Sequence, residues 1–234
     1  MAIQKGDFIK INYVGKMTSD DSVFDTTLKE VAEGNDIYNA KSTYGGDVII
    51  VGAGQTIAGL DEDFIGKEVG YTGIVTIPPE KAFGEHKAEL VRSYSVSRFK
   101  DIEDPLRPGL RVIVDGVSGT VHKIIGRRVR VDFNNVLAGE TLEYEYSIDE
   151  IIEGDVKKVE GMMSLYTGTE TEVNIDDKVI TVKVPVELTF DQRWLMGKGR
   201  VAHEIMERIG AETVSFIESY NMSDFTPAGE ETGE

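Results

Sequence analysis

The segment Leu142 to Ile148 constrains the fold most. Leu142, Tyr144, Tyr146 and Ile148 alternate strictly with Glu143, Glu145 and Ser147, the period-two pattern of a strand with one buried and one wet face. A strand this long needs partners. The run Phe8 to Met17 is one candidate, with Ile9, Ile11 and Tyr13 on one side and Lys10 and Asn12 on the other. The other is Gly73 to Ile77, stopped by Pro78-Pro79 because proline cannot donate to a sheet ladder. If these three pair, the chain between Phe83 and Asn134 is an insertion into a loop of that sheet. The insertion has its own grammar: Arg111 to Asp115, Gly119 to Ile125 and Arg127 to Phe133, turning at Asp115-Gly116 and Ile125-Gly126, predict a small meander. Ser95 to Phe99 reads as one helical turn.

The apolar run Val48-Ile49-Ile50-Val51 leads into Gly52-Ala53-Gly54-Gln55-Thr56-Ile57-Ala58-Gly59-Leu60 and a helix-like segment from Asp61 to Gly66. A β-branched run closed by glycines is a strand entering a turn and then a helix. On such a helix Ile57 and Leu60, three apart, point the same way. Upstream, Thr26 with Glu30 predicts a capped short helix through Ala32.

After Gly154 the pattern resets. Val156 to Tyr166 predicts a helix, Thr171 to Ile175 and Val179 to Val186 a hairpin across Asp176-Asp177, and Val201, Ile205 and Ile209 recur at helical spacing up to the stop at Gly210. Thr213 to Ser219 predicts a closing strand. The hairpin's Val179, Ile180, Val182, Val184 and Val186 are more apolar than one face can bury, so we expect pairing with a second copy of the chain.

Composition narrows the chemistry. Lys and Arg total 25 against 42 Asp and Glu, a net charge of −17, which repels phosphate backbones and argues against nucleic acid as a partner. The absence of cysteine removes disulfides, thiolate nucleophiles and thiolate metal sites. No apolar run approaches the roughly 20 residues that span a bilayer, and Met1 to Asp7 has no signal core, so we expect a cytoplasmic protein with no membrane partner.

Gly52-x-Gly54 lacks the third glycine of a dinucleotide loop, and Leu60 stands where a phosphate loop needs lysine. His86, His122 and His203 form no metal-ligand spacing, so neither metal nor cofactor is expected. Arg127-Arg128-Val129-Arg130 reads as a charged guard on a strand edge. An apolar and aromatic set remains, Tyr13, Phe24, Ile50, Ile57, Leu60, Phe83 and Tyr144, with the acid Asp25 beside Phe24. Such a set fits a pocket for an apolar group rather than a proton-transfer site.

Five segments carry a resemblance: Ile11-Asn12-Tyr13-Val14-Gly15, Val23-Phe24-Asp25-Thr26, Gly52 to Asp61, Pro78-Pro79-Glu80-Lys81-Ala82-Phe83-Gly84, and Val131 to Gly139. In this order they resemble the FKBP-type peptidyl-prolyl isomerases, within them the SlyD-like branch, and most closely its long-chain archaeal form. The resemblance implies an α+β fold: a twisted antiparallel half-barrel sheet around a short helix, a small β-rich domain inserted in the flap, and a C-terminal α/β domain. It divides the chain into 1–85 with 131–153 as a discontinuous isomerase domain, 86–130 as a chaperone insert, 154–222 as a dimerisation domain, and 223–234 as a disordered tail.

By matching position, Tyr13, Phe24, Ile57, Leu60, Phe83 and Tyr144 would line a proline pocket with Asp25 at its rim, and Ile50, Thr56, Val136 and Leu137 would contact substrate. Leu60 stands where many members carry tryptophan, and Phe83 where many carry tyrosine, so Phe83 offers no hydroxyl to a substrate carbonyl. Asn135-Val136 replaces a frequent His-Pro, and no histidine-rich tail follows, which leaves no support for nickel binding. On the insert, Leu90, Val91, Tyr94, Val96 and Phe99 are the expected client surface. The implied activity is isomerisation of X-Pro bonds in unfolded polypeptides. The alternative is a non-catalytic holdase using the insert and the C-terminal module.

Overall fold

The three alternating segments do share a sheet. β1 (Phe8–Met17), β4 (Thr72–Ile77) and β9 (Leu142–Ile151) belong to five strands in the order β2-β1-β9-β4, where β2 is Val23–Thr26; β3 (Asp47–Ile50) also pairs with β1. Because β9 is central, Leu142, Tyr146 and Ile148 are at most 1% exposed. The computed structural model describes residues 1–40, 42–100, 102 and 104–221; the expected disordered tail, 223–234, lies outside these. Among the described residues two units are present, one of Met1–Lys16, Ser22–Val75 and residues 144–221, the other of Met17–Asp21 and Thr76–Glu143.

In the first unit, helix α1 (Lys29–Gly34) begins after Leu28 with no side-chain cap, so the expected Thr26/Glu30 capping box does not form. Thr26 is used otherwise: its hydroxyl donates to the Tyr13 carbonyl at 2.7 Å and accepts the Leu28 N–H at 3.1 Å, tying β2 to β1. Helix α2 (Ala58–Asp63) buries Leu60 and, unusually for a carboxylate, Asp61. The reason lies in the preceding turn. Gly52 and Gly54 take φ of +77° and +68°, which only glycine adopts cheaply, and their N–H groups both donate to the Asp61 carboxylate, at 2.7 and 3.2 Å.

The second unit holds an antiparallel sheet of β5 (Val91–Ser95), β6 (Arg111–Val114), β7 (Val117–Ile125) and β8 (Arg128–Asp132), in the order β5-β8-β7-β6. Its core is Phe99, Val112, Val114, Val121, Val129 and Val131, with Tyr94 and Phe133 against it. Two expectations change. β8 is interior rather than an edge, so Arg128 and Arg130 stand on the wet face of a paired strand and guard nothing. The core also reaches Phe133, past the expected boundary at 130, because alternate residues of β8 continue the buried face.

Beyond β9, α3 (Asp155–Thr167), β10 (Glu172–Asp176), β11 (Val179–Val184), α4 (Val186–Thr189), α5 (Gln192–Ile209) and β12 (Thr213–Glu218) follow. β11 is central, antiparallel to β10 and parallel to β12, with α4 and α5 forming the crossover that a parallel pair requires. The hairpin therefore does not offer its apolar surplus to another copy. Ile180, Val182 and Val184 are at most 3% exposed and share a core with Val159, Met162, Trp194 and Ile205. That same core takes in Phe8 and Ile50 of the first sheet and Ile152 just past β9. At the contact, the α3 backbone comes so close to β3 that a Cβ on Gly161 would stand 2.6 Å from Val48 Cγ1.

Candidate functional site

β1 delivers Tyr13 to the site with its backbone pinned on both sides. Its N–H donates to Thr27 Oγ1 at 2.9 Å and its carbonyl accepts from Thr26 Oγ1 and the Thr27 N–H. The Tyr13 hydroxyl donates to Asp25 Oδ2 at 2.9 Å. The register of β1 with β2, Gly15 opposite Asp25, sets Phe24 and Asp25 beside it, and β9 supplies Tyr144. The rings of Tyr13 and Tyr144 lie 5.7 Å apart, and Phe24 meets Tyr144 edge-on at 5.8 Å. These are ordinary aromatic pair distances, worth about 0.5–1.5 kcal/mol each beyond burial.

A cavity of about 230 Å³ opens beside this cluster, lined among others by Tyr13, Phe24, Asp25, Thr27, Tyr44 and Asp47. Burial pushes the Tyr13 hydroxyl far above the usual tyrosine range, with the Asp25 and Asp47 carboxylates adding to the effect. Burial does the same to Tyr144, with Asp25 again adding. Both hydroxyls thus remain neutral donors at any physiological pH. Asp47 is itself raised, first by burial and then by Asp25. Among the described residues here none is a nucleophile with a base or a poised acid–base pair. The arrangement can set an apolar ring against the Tyr13 and Phe24 rings and direct hydroxyl dipoles at it, with the Asp25 and Asp47 carboxylates in the same wall.

Of the residues expected from the sequence, Tyr13, Phe24, Asp25 and Tyr144 are brought together. Ile57 is the N-cap of α2, half-buried, and Leu60 is 2% exposed. Among the described residues none accepts from the Ile57 N–H, which sits at the open end of the helix. Thr56 is half-buried next to it. Ile50 is turned away into the core it shares with Val159 and Met162 and is 1% exposed, so it does not line the pocket.

In the second unit Phe83 is 36% exposed and Val136 68%, while Leu137 is half-buried. The expected client surface changes most. Phe99 is 5% exposed and Tyr94 packs on it and on Phe133, ring edge to ring face, so both belong to the core. Leu90 and Val91 are half-buried and Val96 is exposed. The outward apolar residues are Ile113, Val117 and Ile125, at 75%, 54% and 55%. Their signal was legible: in Arg111-Val112-Ile113-Val114, Val112 and Val114 take the core face, so Ile113 must point out.

The sequence reading also missed Gly15, Asp47 and Gln55. A Cβ on Gly15 would lie 2.9 Å from Phe24 Cζ and 3.1 Å from Tyr144 Cε1, so the glycine is the space the two rings occupy. Asp47 reaches the site through its register opposite Ile11.

Comparison with known proteins gives the family. A profile of the FKBP-type peptidyl-prolyl cis-trans isomerases matches residues 1–99, and one described as FKBP26_C-terminal matches residues 155–221. A short-type peptidyl-prolyl cis-trans isomerase of Methanocaldococcus jannaschii is 34% identical over 149 residues, covering 64% of this chain and 94% of that protein. The SlyD isomerase of Vibrio cholerae is 32% identical over 122 residues, 47% of this chain and 60% of that one. An FKBP-type 16 kDa isomerase of Escherichia coli is 30% identical over 97 residues, 40% of this chain and 65% of that one. The chain belongs to the FKBP-type peptidyl-prolyl cis-trans isomerases. No helix among the described residues is long and apolar enough to cross a membrane.

Proposed function

We propose that this protein accelerates cis-trans isomerisation of X-Pro bonds in unfolded polypeptides, and that the cluster of Tyr13, Phe24, Asp25 and Tyr144 is where it does so. The supporting observation is that cluster: two rings packed over Gly15 beside the hydroxyl of a half-buried tyrosine fixed by a carboxylate. Rotation about an X-Pro bond crosses roughly 18–20 kcal/mol because it destroys amide resonance. Resonance puts negative charge on the carbonyl oxygen, so an apolar enclosure favours the less polar twisted amide over the planar one. A thousandfold acceleration needs only about 4 kcal/mol, which desolvation and orientation together supply without a nucleophile or metal. Phe24 and Tyr144 grip the proline ring above Leu60, while the Ile57 N–H and the Tyr13–Asp25 pair orient the peptide. Phe83, to which the family resemblance gives the same role, belongs to the other unit and is tested by its own variant.

The chaperone role rests on the insert, residues 86–130 extended to Phe133, whose outward Ile113, Val117 and Ile125 fit exposed apolar segments of a client. Weak capture there raises the local concentration of prolines at the pocket. The SlyD relatives support this branch, and the match at 155–221 supports the long form with its added C-terminal module. For that module we propose self-association through Phe190, Leu195 and Met196, exposed by 72%, 46% and 89%, rather than through the hairpin.

The test is paired. Proline-limited refolding of a protein and isomerisation of a short X-Pro peptide are measured on the full chain, on Phe83→Ala, and on a chain with residues 85–134 replaced by a short glycine linker. The proposal requires Phe83→Ala to slow both reactions and loss of the insert to slow refolding far more than peptide turnover. Equal loss in both from removal of the insert would refute the tethering role, and a full chain that slows aggregation without isomerising the peptide would establish the holdase instead.

A further inference from the structure

The loop between β3 and α2 carries the Ile57 amide, and the structure shows it held from two directions. From below, the Asp61 carboxylate fixes Gly52 and Gly54. From the side, Gln55 bends back so that its Oε1 accepts the Ile50 N–H at 2.7 Å. That bond decides the amide's orientation, since a backbone N–H needs the oxygen. The Nε2 group must therefore face outward, and it donates to the hydroxyl of Tyr166 at 3.4 Å. Tyr166, on α3, in turn donates to Glu204 on α5, whose second oxygen accepts from Arg208 Nε at 3.4 Å.

From Ile50 through Gln55 and Tyr166 each donor points the same way, toward the Glu204 carboxylate, which Arg208 meets from the other side. A hydrogen-bond chain ending on a charge is polarised along its length, each bond strengthening the next. The support is rigid as well as polar. Five residues before Tyr166, Gly161 seats α3 directly on Val48 of β3, the strand that leads into the loop. Tyr166 thus stands at a fixed place relative to the strand whose continuation it braces.

We infer that Tyr166 and Glu204 are positioning residues for the isomerase site: acting through Gln55, the C-terminal module sets the loop that presents the Ile57 amide to the substrate carbonyl. The inference rests on the reading that Ile57 orients the peptide. It gives the C-terminal module a part in turnover besides any part in assembly. Neither residue touches substrate, so removing the hydroxyl changes how well the amide is placed for the twisted state rather than how much apolar surface the substrate buries. The effect falls mainly on kcat.

The test uses the full chain carrying Tyr166→Phe, Gln55→Met, the two together, and Glu204→Gln, with kcat and KM measured on an X-Pro tetrapeptide and the Ile57 amide followed by NMR. Tyr166→Phe is expected to lower kcat about three- to tenfold, the span of one neutral hydrogen bond, with KM within about twofold and the Ile57 resonance shifted. Gln55→Met should lose as much, the double variant no more than either single one, and Glu204→Gln, which keeps an acceptor but removes the charge that polarises the series, should fall between wild type and Tyr166→Phe in kcat. If Tyr166→Phe retains kcat within twofold and leaves the Ile57 resonance in place, the positioning role is wrong while the isomerase reading stands. Additive losses in the double variant would equally overturn it. Should the wild-type chain not isomerise the peptide at all, the underlying reading falls and the inference with it.

Discussion

Replacing Gly15 by alanine changes the pocket by one methyl group at a known place. The Cβ would stand 2.9 Å from Phe24 Cζ and 3.1 and 3.2 Å from two atoms of the Tyr144 ring. Carbon atoms in contact prefer about 3.5–4.0 Å, so a displacement of roughly 0.6–1 Å has to be absorbed. Tyr144 is held in the central strand and is 5% exposed, whereas Phe24 is half-buried in a four-residue strand at the sheet edge. Phe24 therefore moves, and it moves out of the position in which it grips proline. A misplacement approaching 1 Å in a positioning group costs up to about 100-fold in rate; with only one of several groups displaced, kcat/KM should fall about tenfold, or about 1.4 kcal/mol. Gly15 has no positive φ, so the backbone accepts alanine. The roughly 0.4–1 kcal/mol gained by restricting the unfolded chain offsets part of the crowding. The assay pairs tetrapeptide isomerisation with urea unfolding: activity should drop while the unfolding midpoint barely moves. A variant with wild-type kcat/KM would refute the placement of Phe24 and Tyr144 at the reacting bond.

Other outcomes follow from the same geometry. Gly161→Ala drives a Cβ into the stiff, β-branched Val48, and urea unfolding should show a loss of about 1–3 kcal/mol, the usual cost of overpacking. Because burial and nearby carboxylates hold Tyr13 protonated, kcat/KM on the peptide should stay flat from about pH 6 to 9, and a bell-shaped profile would contradict the neutral-donor mechanism. Asp132 is partly desolvated, yet hydrogen bonds from His86 and Asn134 hold its carboxyl below the usual range. A depressed acid stabilises above its unfolded value, near 4, and that stability is lost as pH falls through the folded value; Asp132→Asn should make acid unfolding of the insert less steep. Ile113→Ser with Val117→Ser should slow protein refolding more than peptide turnover, as measured in the paired assay.

What the sequence revealed depended on whether one strand's own residues carried the information. Leu142 to Ile148 alternates without interruption, and its neighbours on both sides were identified from the same pattern in Phe8 to Met17 and Gly73 to Ile77. β5 was missed because Val91-Arg92-Ser93-Tyr94-Ser95 has only two large apolar residues; its pairing with β8, not its propensity, makes it a strand. The hairpin valines read as a surplus because a sequence does not say that β11 is central and covered by α3 and α5. Phe99 and Tyr94 looked like a client surface for the same reason: an insert of this size needs its aromatics for its own core. At the site, Tyr13, Phe24 and Asp25 were legible through family-like segments. Asp47 and Gln55 were not, since their roles come from register opposite Ile11 and from side chains more than a hundred residues away.

Isomerisation of an X-Pro tetrapeptide by the wild-type chain and by Phe24→Ala tests the central claim most directly. Phe24 is half-exposed, so its truncation leaves the sheet intact. The pocket assignment predicts catalysis by the wild type and a loss of about tenfold or more in kcat/KM for the variant at unchanged unfolding midpoint. An uncatalysed wild-type rate, or a variant as fast as wild type, would contradict it.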